Sequence, residues 1–79
     1  MIKSKKFEIL IASPPEYENL VAEIYFDGLF FVTISRDDSS GHFQIETPPG
    51  CLVESEIARK VDLEGFVDAI RNACDRLYN

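Results

Sequence analysis

Leu20-Val21-Ala22-Glu23-Ile24-Tyr25-Phe26-Asp27-Gly28-Leu29-Phe30-Phe31-Val32-Thr33-Ile34-Ser35-Arg36 sets two β-prone runs on either side of one Asp-Gly pair. A two-residue hairpin of type I′ needs positive φ at both central residues, and Gly and Asp tolerate it best. The stretch therefore predicts a tight antiparallel hairpin with strands over residues 20–26 and 29–36. In a regular hairpin, directly opposed residues share a face of the sheet. Phe26 then opposes Leu29, Ile24 opposes Phe31, Ala22 opposes Thr33, and Leu20 opposes Ser35. These form one face. Val21, Glu23, Tyr25, Phe30, Val32, Ile34 and Arg36 form the other.

Turn signals divide the rest of the chain. They fall at Ser13-Pro14-Pro15, over residues 37–41, and at Pro48-Pro49-Gly50. Before the hairpin, residues 7–12 read as a strand that sets Phe7, Ile9 and Ile11 on one face. After it, residues 42–47 set Phe43, Ile45 and Thr47 against His42, Gln44 and Glu46. Residues 53–61 alternate more loosely and are read as a fifth strand. The period then changes. Leu63, Phe66, Val67, Ile70, Ala73, Cys74 and Leu77 follow helical spacing. Asp62 stands where a carboxylate caps the first turn. Glu64 near the start, and Arg71 and Arg76 toward the end, suit the helix dipole. The fold class is α+β: a four- to five-stranded, mainly antiparallel meander with one C-terminal helix packed on one face. Residues 1–79 form a single domain.

One helix covers only one face of a sheet. Leu20, Ile24, Phe26, Leu29, Phe31, Phe43 and Ile45 are the natural bed for it. The second face keeps Tyr25, Phe30, Val32 and Ile34 at its centre, with Glu23, Arg36 and Glu46 around them. An apolar centre within a polar rim is the anatomy of an interface. These seven are the candidate partner-binding residues. On this register, Val32→Asp weakens association and leaves the fold intact. The chain itself, a second copy or another protein are the three ways to cover that face. A sheet edge offers a further route, by strand addition.

Composition bounds the function. The chain has 79 residues, 46% hydrophobic and 28% charged, so it is globular rather than disordered. Eight Lys and Arg against 14 Asp and Glu give a net charge of −6. That balance argues against nucleic acid and anionic membrane surfaces as partners. Two cysteines, Cys51 and Cys74, fit free thiols in a cytoplasmic protein better than a secreted disulfide framework. The Lys-rich start is followed by too short an apolar run for a signal peptide, and Glu8 interrupts it.

Chemistry-bearing residues are scattered. His42 is the only histidine and has no nucleophile beside it in sequence. With Cys51 and Cys74 it matches no zinc spacing. Ser39-Ser40-Gly41 lacks the Gly-Lys-Ser/Thr of a phosphate loop. Asp37 and Asp38 fit no calcium-loop spacing. The expectation is a non-enzymatic protein-interaction module without cofactor or metal, with a small enzyme or metal-binding domain as the more distant alternative.

Ala22-Glu23-Ile24-Tyr25-Phe26-Asp27-Gly28, Phe30 to Ser35, and Ala58-Arg59-Lys60-Val61-Asp62-Leu63-Glu64-Gly65-Phe66 resemble a group of small bacterial α+β proteins of uncharacterised role. The shared motifs are a hairpin turn, a strand end and a helix cap. Small acidic proteins of this layout are in turn similar to immunity proteins of bacterial toxin systems. That resemblance implies a toxin as partner, and it carries over no functional residue.

Overall fold

The computed structural model describes residues 6–15, 17–36, 40–48, 50 and 52–78. Four strands run β1 (Phe7–Ala12), β2 (Val21–Phe26), β3 (Leu29–Arg36) and β4 (Phe43–Glu46). They pair antiparallel in sequence order, and the helix α1 (Leu63–Tyr78) packs on one face of the sheet. The architecture is therefore α+β.

The hairpin forms at Asp27-Gly28, with φ of 52° and 84°. Its turn is also tied to Lys6, the residue before β1. The Asp27 amide donates to the Lys6 carbonyl at 2.9 Å, and the Lys6 amide donates to the Asp27 carboxylate at 2.9 Å. The register is regular for two pairs, Phe26 with Leu29 and Tyr25 with Phe30. It then shifts, and Ile24 opposes Val32 while Ala22 opposes Ile34. Phe31 is the extra residue of a β-bulge.

The bulge reverses the faces of the outer half of β3. Val32 and Ile34, expected on the open face, lie on the helix side. Both are buried in one cluster with Ala22, Ile24, Ala69, Ala73 and Leu77. Phe31 also reaches the helix side, where its ring meets Phe66 edge-on at 5.0 Å. Arg36 follows the new phase. Its guanidinium lies 5.7 Å from the Phe43 ring centre and 6.0 Å from that of Tyr78. The driving force is burial. Without the bulge, Thr33 and Ser35 would face the helix while Val32 and Ile34 faced outward. Each large aliphatic side chain buried contributes about 1.5–3 kcal/mol before entropy.

Asp62 begins the helix as expected. Its carboxylate accepts the Gly65 amide at 2.7 Å, and its carbonyl accepts the Phe66 amide at 2.9 Å. Gly65 permits the close approach of β1, because a Cβ there would stand 2.8 Å from the Phe7 ring. The buried line of the helix is Ala69, Ala73 and Leu77, with Phe66 and Cys74 partly buried beside it. Leu63 and Val67, expected in that stripe, are exposed. The two alanines let the helix axis approach the sheet, and they rotate the contact away from Leu63 and Val67. Contacts run to β1, β2 and β3. Phe43 and Ile45 of β4 remain exposed beside a shallow groove at Ile70 and Cys74.

Residues 53–61 do not form a fifth strand. They contain one 3₁₀ turn (Glu54–Glu56) and a single parallel bridge from Ile57 to Phe30. The Ala58 amide donates to the Phe30 carbonyl at 2.8 Å. β4 pairs only with residues 33–36 of β3, so the edge at Phe30 is open to this second segment. Arg59 binds the Glu54 carboxylate at the exposed surface of the turn. Among the described residues, no helix is long and apolar enough to cross a membrane.

Candidate functional site

Cross-strand pairing organises the face away from the helix. Leu10 opposes Glu23, Glu23 opposes Thr33, and Thr33 opposes Glu46. One row thus crosses all four strands. Two strand spacings put the Glu23 and Glu46 backbones roughly 10 Å apart, with Thr33 midway. The neighbouring row carries Glu8, Tyr25 and Phe30. Tyr25 and Phe30 pack edge to face, with ring centres 5.4 Å apart.

Two chain segments cover part of this face. The Tyr17 amide donates to the Pro14 carbonyl at 3.1 Å and closes a turn after β1. From that turn the Tyr17 hydroxyl donates to one Glu46 carboxylate oxygen at 2.5 Å. The Ser35 hydroxyl donates to the other at 2.7 Å. Ser35 is 1% exposed, so Glu46 satisfies a buried donor as well as anchoring the loop. Leu52, from the segment after β4, adds to the lining.

Between these segments lies a cleft of about 480 Å³, within the size range of binding pockets. Val21, Tyr25 and Phe30 give it apolar walls, while Glu23, Thr33 and Glu46 are its polar groups. The Tyr25 hydroxyl donates to Glu23 at 3.1 Å. Among the described residues, neither Glu23 nor Glu46 has a cationic partner. Their bonds come from neutral hydroxyls, which orient a carboxylate without neutralising it.

Burial, and then the hydrogen bond and the charge of Glu23, push the Tyr25 phenol above its ordinary value of 10.0. The folded state thus favours the neutral phenol. Its contribution to stability is fully present below the unfolded value and is lost as pH rises through the folded one. An ultraviolet titration is expected to contain a late-ionising contribution from Tyr25, and Tyr25→Phe is expected to remove that contribution. An unchanged curve shape would exclude this environment for Tyr25.

Of the seven candidate residues, the structure brings four together at the cleft: Glu23, Tyr25, Phe30 and Glu46. Val32, Ile34 and Arg36 are on the other side of the sheet. Thr33 and Ser35 take their place on this face, and Tyr17 and Leu52 join from the loops. Phe30-Phe31-Val32 carried the missed signal, because three successive apolar residues break a two-residue alternation.

The remaining chemistry-bearing residues stand apart. Cys74 lies against the core, and burial, with Asp75 adding to it, pushes its thiol up. A raised thiol is a poor nucleophile at neutral pH. His42 is exposed before β4. Cys51 and the Asp37, Asp38 and Ser39 turn lie outside the described residues. Among the described residues, no three His, Cys, Asp or Glu side chains are placed to share a metal ion. No family model, curated protein or solved structure matches the chain.

Proposed function

We propose that the protein is a non-enzymatic interaction module, and that the cleft on the open sheet face takes part of a second protein. The observation that carries this reading is the cleft itself: apolar walls beside two carboxylates that no cation among the described residues neutralises. Its anchors are Tyr25 and Phe30, and Glu23 and Glu46 form its charged rim. Aromatic residues supply disproportionate binding energy at such sites.

The shape favours a different protein over a second copy. A two-fold dimer places the same patch against itself. Two concave surfaces of this kind leave each other unfilled, and they oppose four carboxylates in a chain that already carries a net charge of −6. An immunity protein for a basic toxin is a narrower form of the same reading. The acidity supports it, and an association rate that falls with salt is its expected mark.

The test is a pull-down from the native host with three baits: the unaltered chain, Tyr25→Ala and Leu63→Ser. Leu63 is 72% exposed on the helix and serves as the control surface. A partner is expected to be retained by the unaltered chain and Leu63→Ser, and lost with a folded Tyr25→Ala. A partner lost with Leu63→Ser and kept by Tyr25→Ala would move the interface to the helix side and overturn the reading.

A further inference from the structure

We propose that the group entering the cleft is the guanidinium of an arginine carried by the partner. This rests on the interaction reading above and narrows it from a protein to a chemical group. Three observations converge on it. Glu23 and Glu46 flank Thr33 on one cross-strand row, and no cation among the described residues pairs with either. A guanidinium centred over Thr33 lies one strand spacing from each, about 5 Å from either backbone and within side-chain reach. The cleft wall beside the row is aromatic, built from the Tyr25 and Phe30 pair.

The chemistry then separates arginine from lysine. Guanidinium is planar, weakly hydrated and always charged. It binds carboxylates along its edge while its face lies on an aromatic ring. An ammonium is compact and strongly hydrated, and the apolar wall returns little for the water it must lose. Each carboxylate oxygen that takes one hydroxyl still has acceptor capacity, and the second Glu23 oxygen accepts no hydrogen bond from the described residues. The hydroxyls of Tyr25, Tyr17 and Ser35 therefore hold the carboxylates in place without consuming them. The chain's own Arg36 and Arg59 are engaged elsewhere, with the Phe43 and Tyr78 rings and with Glu54.

The experiment uses the full chain, isotope-labelled for nuclear magnetic resonance, at constant ionic strength. The probes are N-acetyl-arginine methylamide, its citrulline counterpart and its lysine counterpart. One side chain binds no tighter than the millimolar range, so the titration runs to about 50 mM. Saturable shifts are expected at the amides of Glu23, Thr33 and Glu46 with the arginine probe. The citrulline and lysine probes are expected to bind about tenfold more weakly. Glu23→Gln is expected to lower arginine affinity by about tenfold while the spectrum stays folded, the loss of one charge-assisted hydrogen bond.

Equal binding of citrulline would show a cleft that ignores charge, and equal binding of lysine would show one that reads charge alone. Either result overturns the arginine assignment. So does an absence of shifts at the end of the titration, or an unchanged affinity in Glu23→Gln. The interaction reading is judged separately. It survives these outcomes if Tyr25→Ala loses the partner in the pull-down, and it falls if that bait keeps it.

Discussion

Val32→Asp is expected to leave no folded protein at room temperature. Val32 is buried among Ile24, Ile34 and the two helix alanines. The substitution forfeits about 1.5–3 kcal/mol of apolar burial. It also places a carboxylate where no cation or donor awaits it, at a further cost of several kcal/mol. The whole stability of a 79-residue domain is roughly 4–12 kcal/mol, so the sum is comparable with everything the fold has. The control is one residue away. Thr33 faces the cleft between two glutamates. Thr33→Lys is expected to fold with stability unchanged or raised, since each cross-strand charge pair contributes about 0.2–1 kcal/mol. Circular dichroism and urea melts read both variants. A hairpin without the bulge reverses the two results, with Val32→Asp folded and Thr33→Lys unfolded. That reversal would reject the register on which the cleft depends.

The contrast shows which parts of this fold a sequence exposes. Asp27-Gly28 declared the hairpin because positive φ at both turn positions is a local requirement that few residue pairs meet. Asp62 declared the helix start for a similar reason, since a capping carboxylate acts within one turn. The faces of β3 were not local. They depend on whether one extra residue is tolerated at Phe31, and the burial of Val32 and Ile34 against a helix thirty or more residues away decides that. The rotation of the helix was hidden in the same way. Leu63 and Val67 are more hydrophobic than Ala69 and Ala73, yet the alanines take the buried line because their small size lets the helix approach the sheet. Tyr17 shows the third kind of invisibility. Nothing in its loop announces Glu46 as a partner, and only the folded register puts that carboxylate within reach.

Glu46→Ala is expected to destabilise the protein by about 2–4 kcal/mol, far more than Ser35→Ala. The two residues share one hydrogen bond, so the asymmetry needs a reason. Removing the Glu46 carboxylate takes the acceptor from the Ser35 hydroxyl, which belongs to a residue only 1% exposed. It also takes the anchor from Tyr17, whose bond to a charged acceptor is the stronger kind. Removing the Ser35 hydroxyl leaves Glu46 half-buried, still bonded to Tyr17 and still open to solvent from the cleft. That loss is expected to stay near 1 kcal/mol. The double variant has no Ser35 hydroxyl left to strand, so it is expected to be more stable than the two single losses imply. A double-mutant cycle in urea would read a coupling of about 1–2 kcal/mol. Equal single effects, or a cycle that closes to zero, would mean that Glu46 does not carry Ser35. Glu46→Gln then separates support from charge. Its carbonyl accepts one hydroxyl and its amide donates to the other, so both contacts persist at neutral strength and the loop stays anchored. The variant is expected to lose about 1 kcal/mol of stability while halving the formal charge beside the cleft. Glu46 is therefore the residue at which the scaffold and the recognition surface meet. Its conservative variant can weaken recognition in a protein that remains folded.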